Sequence, residues 1–170
     1  MSRSAAGCAR WPERPADVEV SIRPATEKDQ GGVRTLMRGE RVNPFGIDWR
    51  NFIVAEVASD LAGCVQLRPV GRGAVELGSW VVRADQRRRG LGAKLLDAAL
   101  ARAAGRRVLM VTSAVREPYF ARWGFHAVRP AAAPWPVRRN WLLGQAGSLV
   151  AMTHGLRPQR LAILARDARP

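Results

Sequence analysis

The chain has 170 residues, 47% hydrophobic and 25% charged, which suits one domain with a real core. No run of about 18 apolar residues offers a membrane span, and the N-terminus has no apolar leader segment, so a cytoplasmic protein is expected. The net charge of +14 raises nucleic acid as a partner, but the basic residues are spread along the chain and nearly all are arginine, so a solvated basic surface is expected instead.

In chain order, residues 1–17 are small and polar, with Pro12 and Pro15 and no periodicity, and read as a flexible N-terminal extension. Val18–Arg23 alternates apolar and polar as a strand does, and Pro24 ends it. Thr26 and Asp29 look like a helix N-cap, followed by the stripe Val33, Leu36 and Met37. An irregular loop over 39–48 contains Asn43-Pro44-Phe45-Gly46. Three antiparallel strands follow, Phe52–Val57, Ala62–Leu67 and Ala74–Val82, joined at Ser59-Asp60 and Gly71-Arg72-Gly73. Leu91, Leu95, Leu96, Ala99, Leu100 and Ala103 mark one face of a helix that Gly105 caps.

Val108–Val111 is wholly apolar, as expected mid-sheet. Glu117–Trp123 reads as a short helix stopped by Gly124, and Phe125–Val128 as a strand. Ala131–Pro136 is a proline-rich connection. Ser148–Thr153 reads as a last strand pairing with Phe125–Val128. Residues 155–170 read as an arginine-rich tail in which Leu161, Ile163 and Leu164 form a helix, leaving the domain at 18–154. The order of elements gives an α/β fold, one mixed sheet covered by helices.

The segment Val81–Leu96 carries the strongest signal. A β-branched strand enters the turn Arg87-Arg88-Arg89-Gly90-Leu91-Gly92, which opens a helix. Glycine lets backbone approach a ligand, and first-turn N–H groups lack intrahelical partners while facing outward at the positive end of the helix dipole. Arginines add charge, so the turn suits a pyrophosphate. It matches neither the P-loop pattern nor the three-glycine dinucleotide fingerprint. Cys8 and Cys64 cannot form a disulfide framework, and no Cys/His cluster has metal-ligand spacing, so no metal is expected.

Ile22-Arg23-Pro24-Ala25-Thr26, Gly63-Cys64-Val65, Glu76-Leu77 with Val81-Val82, the arginine-glycine turn, and Tyr119-Phe120-Ala121-Arg122-Trp123-Gly124-Phe125 together resemble the GNAT N-acetyltransferase superfamily. The resemblance covers about Val18 to Thr153. It implies a twisted, mostly antiparallel sheet splayed between Ala74–Val82 and Val108–Val111, with helices on both faces. It implies acetyl-CoA as co-substrate, and acetyl transfer to an amine by direct attack in a ternary complex. The acetyl-pantetheine arm would bond backbone at Trp80, Val81 and Val82, and the pyrophosphate would sit on Arg87, Arg88, Arg89, Gly90, Leu91, Gly92 and Ala93. A homodimer through edge strands or the C-terminal region is also within the family's habits.

Two departures bear on chemistry. The family turn usually has glycine where Arg88 stands. The family often places its acid, a tyrosine, five residues before the terminal Phe of the Gly-Phe pair, and Phe120 stands there. Tyr119, about 100° round the helix, Ser113, or water remains as the acid. A coenzyme thiol, with a pKa near 8.5, makes a dedicated acid helpful rather than required. For the base, Glu76 is the first candidate, expected by alternation to share a face with Gly78, Trp80 and Val82; its alternative is a sheet carboxylate paired with arginine. Asp48 and Glu40 are backups. Asn43, Asp48 and Trp49 are expected on the acceptor side, and His126 and His154 are structural. The expected acceptor is a small-molecule amine, an amino acid among the choices. The alternatives are a protein or peptide acceptor, or a CoA-binding module with weak or lost catalysis.

Overall fold

Seven strands form one sheet in the order β1-β2-β3-β4-β5-β7-β6, in a computed structural model that describes residues 19–40, 42, 46–71, 73–153 and 157–168. They are β1 Val20–Pro24, β2 Phe52–Val57, β3 Asp60–Pro69, β4 Ala74–Val82, β5 Arg107–Ser113, β6 His126–Val128 and β7 Leu161–Arg166. Every neighbouring pair is antiparallel except β4 and β5, which run parallel. The helices are α1 Asp29–Gly39, α2 Leu91–Arg102, α3 Glu117–Ala121 and α4 Trp135–Thr153. Residues 1–17, Asn43 and His154 lie outside the described residues.

The helices cover both faces, as the apolar patterning requires. On one face, α2 sets Leu95, Leu96 and Ala99 against Ile53, Val65, Leu77 and Val108, and α3 adds Phe120. On the other, α1 packs Val33, Leu36 and Met37 onto Phe52, Val54, Cys64 and Val81. Beside it α4 presses Val137 and Trp141 onto Leu109, Ile163 and Ala165. Arg23 ties β1 to the start of α1 and to β2 through Asp29 and Glu56. The hydrogen bonds from Arg23 hold the Asp29 carboxyl well below the usual carboxylate range. Burial pushes the Cys64 thiol up to about 12, so it serves as packing rather than as a nucleophile.

The C-terminal third departs from expectation. Ser148–Thr153 is not a strand but the end of α4, and Trp135-Pro136 begins that helix rather than belonging to a connection. Proline is tolerated in a first turn, whose N–H groups are unpaired anyway, and leucine, alanine and methionine favour helix over strand. The helix expected at Leu161, Ile163 and Leu164 is β7, which pairs with β5 on one side and β6 on the other. Leu161–Arg166, read as part of a tail, therefore completes the sheet. An apolar run that ends up covered on both faces needs no alternation. Trp141 Nε1 donates to the Leu161 carbonyl at 3.0 Å, and Gln145 Oε1 accepts from the Leu161 N–H at 2.9 Å, fastening α4 to β7.

Two irregularities of β4 position the site. First, β4 pairs with β5 only at Ala74↔Arg107, Val75↔Val108 and Glu76↔Leu109. Beyond Glu76 the strands part, and the side of β4 turned from β3 has no strand partner among the described residues. Second, Cys64 faces Val81 while Gln66 faces Gly78, so β4 carries one extra residue in this interval, and Ser79 takes a φ of 45°. Such a bulge resets the alternation. Trp80 and Val82 join Val75 and Leu77 on the α2 face. Glu76 therefore does not share a face with Trp80 and Val82, contrary to strict alternation.

Candidate active site

The notch between β4 and β5 opens beside the start of α2. Gly90 caps that helix in the left-handed region at φ 79°, and the Lys94 N–H already bonds its carbonyl. The amides of Leu91, Gly92 and Ala93 precede the first intrahelical bond, so they face outward unpaired. Trp80 lies against this turn, and its Nε1 donates to the Gly92 carbonyl at 3.2 Å. A Cβ at Gly92 would come within 3.1 Å of the Trp80 ring, so glycine sets this close approach.

A cavity of about 500 Å³ occupies the notch, lined by Trp80, Val81, Val82, Arg87, Arg88, Gly92, Arg116 and Tyr119. Arg87 is held by its Nε bond to the Val82 carbonyl at 3.1 Å and by an ion pair with Glu40. The other Glu40 oxygen accepts the Ala84 N–H at 3.0 Å, so Glu40, at the end of α1, braces the turn while also lining this cavity. Arg89 points elsewhere, lining a small cavity with Val20, Val57 and Lys94. Leu91 is buried in the core, which leaves only its backbone for a ligand.

Arg88 has φ 64°, the left-handed geometry that glycine favours. The turn thus keeps its shape and carries the strain in an arginine. Arg88→Gly is expected to raise stability by about 1 kcal/mol in urea denaturation while weakening acetyl-CoA binding several-fold through the lost guanidinium. Losses in both readouts would mean that the side chain supports the fold.

Tyr119 is the chain's only tyrosine. It is 42% exposed, and its ring lies 6.2 Å from Trp80 and under the Arg122 guanidinium at 4.1 Å. Phe120, one residue on, is 1% exposed and packs among Trp80, Trp123 and Phe125. The helix therefore presents Tyr119, not position 120, to the notch. Ser113 ends β5 and lines neither this cavity nor the one described next.

A second cavity, of about 610 Å³, lies on the α1 and α4 side of the sheet. Val42 lines both cavities, and consecutive β4 residues, Ser79 and Trp80, serve one each. Its floor is Glu76, 4% exposed, whose carboxylate accepts from Arg68 Nη2 at 2.9 Å and from Asn140 Nδ2 at 2.9 and 3.0 Å. Gln66, also buried, accepts from Ser79 Oγ at 3.2 Å and donates to the Gly46 carbonyl at 3.0 Å, fixing the loop after α1 over this floor. Asp48 and Trp49 are not brought to either cavity. Asp48 caps a 3-10 turn by accepting the Arg50 N–H at 3.1 Å, a contact local to the loop, while the Trp49 N–H donates to Gln30 Oε1 at 3.0 Å and anchors the loop to α1. The sequence did not single out Gln66 and Arg68 on β3, Arg116 in the turn after β5, or Arg139 and Asn140 on α4, three places far apart along the chain.

The model of the acetyltransferase (GNAT) family matches residues 20–129. The chain belongs to the GNAT acetyltransferase family. It is thus an acyltransferase by family, with the splayed sheet its resemblance implied. Comparison with curated proteins finds none that matches. Among solved structures, N-acetylglutamate synthase from Neisseria gonorrhoeae, complexed with coenzyme A and L-arginine, aligns at TM-score 0.68 and 20% identity. That alignment covers 91% of this chain and 34% of the synthase, so this GNAT chain spans about a third of that protein's length. Rv2747 from Mycobacterium tuberculosis, in complex with CoA and NLQ, aligns at TM-score 0.66 and 19% identity over 88% of this chain and 99% of its own. An Arabidopsis thaliana protein bound to the bisubstrate analogue CoA-Ac-MVNAL aligns at 0.59 and 13% over 88% and 99%. At these identities the structural likeness establishes the GNAT fold. Among the described residues no helix is long and apolar enough to cross a membrane, and no group of three His, Cys, Asp or Glu side chains could hold a metal.

Proposed function

We propose that the chain moves an acetyl group from acetyl-CoA to the primary amine of a small molecule, amino acids among them, by direct attack in a ternary complex. The observation that carries this reading is a pair of cavities meeting at Val42 on either side of the unpaired β4 edge. The residues fit the donor. A bare strand edge offers N–H and C=O groups to an amide-bearing arm, and a helix start beside Arg87 and Arg88 suits a pyrophosphate. CoA-bound solved neighbours agree with this assignment.

Acetyl-CoA supplies an acyl thioester; the amine nitrogen bonds the acyl carbon as the carbon–sulfur bond breaks. In this reading the amides of Leu91 to Ala93, with Arg87 and Arg88, hold the pyrophosphate, and the Trp80–Val82 backbone orients the arm. Tyr119 presents a phenol proton at the notch for the departing thiolate. Glu76 draws the substrate ammonium to the cavity floor and takes its proton through water, since both its oxygens already accept hydrogen bonds. On this reading the acceptor is small, with α4 supplying Asn140, Leu143 and Gly144 as one wall of a half-open cavity of about 610 Å³.

Thiol release across an amine library tests the reading, with acetyl-CoA thermal stabilisation beside it. Tyr119→Phe is expected to lower kcat about 10-fold without raising the KM for acetyl-CoA, and Glu76→Gln to lower kcat more steeply below neutral pH. Stabilisation by acetyl-CoA with no amine accepted would leave a CoA-binding module. No stabilisation at saturating acetyl-CoA would overturn the donor site as well.

A further inference from the structure

The charges of the larger cavity do not balance. Glu76 is its only carboxylate among the described lining residues, and it is already matched by Arg68 at 2.9 Å. Asn140 Nδ2 bonds both of its oxygens. Arg139, the residue before Asn140 on α4, lines the same cavity, is exposed, and has no ion-pair partner among the described residues. One positive charge is left over.

We infer that the acceptor carries a carboxylate beside its amine, and that Arg139 receives it. The inference rests on the acetyltransferase reading above and names the substrate class of the same site. Attack requires the amine in its neutral form, and in that form an amino acid has a net charge of −1, complementary to the surplus charge of the cavity. A guanidinium fork matches a carboxylate with two parallel donors. The amine end then falls toward Glu76 and Ser79, beside the mouth of the notch, while Leu143 gives the side chain an apolar wall. A peptide N-terminus would bring an uncharged amide to Arg139 where an amino acid brings a carboxylate.

Matched acceptors test this. Free α-amino acids are compared with their carboxamides and their decarboxylated amines, by thiol release and by thermal shift in the presence of CoA, in wild type and Arg139→Gln. The expected result is a preference of at least 10-fold in kcat/KM for the carboxylate member of the best pair. Arg139→Gln should remove it through KM, with acetyl-CoA affinity unchanged. Carboxamides or decarboxylated amines accepted equally well, or a preference that survives Arg139→Gln, would overturn the inference and leave the acetyltransferase reading standing. Carboxylate-selective, Arg139-dependent thermal stabilisation without thiol release would uphold the carboxylate site and overturn that reading instead. Absence of carboxylate selectivity in both readouts overturns the inference.

Discussion

Phe120→Ala is expected to lower the unfolding free energy by about 3–5 kcal/mol in urea denaturation, the usual range for emptying a buried aromatic site. Phe120 is 1% exposed, and its ring sits 5.5 Å from Trp80 and 6.0 Å from Phe125. Trp80 also seats the first turn of α2, so acetyl-CoA affinity should fall together with stability. Phe120→Tyr separates packing from chemistry. It puts the family's usual tyrosine in its usual place, but the neighbouring rings offer a hydroxyl no acceptor. The unpaired group should cost about 1–3 kcal/mol and recover no rate. Turnover faster by about 10-fold or more at unchanged stability would put position 120, not Tyr119, beside the donor sulfur.

How far the sequence foretold this site depends on whether the signal was local. The α2 turn was legible because glycine, arginine and the following stripe lie within a few residues, and each has one physical reason to be there. β2 and β4 run as expected because β-branched and apolar residues recur along them, Phe52-Ile53-Val54 and Val57 in one and Val75, Leu77 and Trp80-Val81-Val82 in the other. The bulge at Ser79 was not legible, since serine carries no mark of a positive φ and alternation assumes an unbroken period. That single residue moved Glu76 off the Trp80 face. The exchange of α4 and β7 has another cause. Neither Ser148–Thr153 nor Leu161–Arg166 carries a decisive period, so context decided their state: the first continues the 19-residue α4, and the second fills the place between β5 and β6. The larger cavity draws on β3, β4 and α4 at once, and only the folded chain brings Arg68, Glu76 and Asn140 together.

Ala93→Glu is expected to weaken acetyl-CoA binding about 100-fold, or about 2.8 kcal/mol, while leaving the free protein as stable as before or slightly more so. Ala93 is the third residue after the capping Gly90, on the outward-facing first turn. A glutamate there is favourable to the helix itself, because the dipole welcomes negative charge and the side chain can reach back to the cap N–H, worth about 0.3–1 kcal/mol. The same carboxylate competes for the amides and repels the pyrophosphate. Two unit charges about 4 Å apart at an effective dielectric of about 20 interact by about 4 kcal/mol, so a loss of about 2.8 allows for partial screening by Arg87 and Arg88. Ala93→Gln adds the same bulk without charge and should lose less than about 10-fold. Calorimetry of acetyl-CoA binding beside a melting curve reads both quantities. Wild-type affinity in Ala93→Glu would move the pyrophosphate off this helix, whereas equal losses in the glutamate and glutamine variants would reduce the effect to bulk. The opposite signs expected for folding and binding distinguish an anion site from a helix start that is merely well capped.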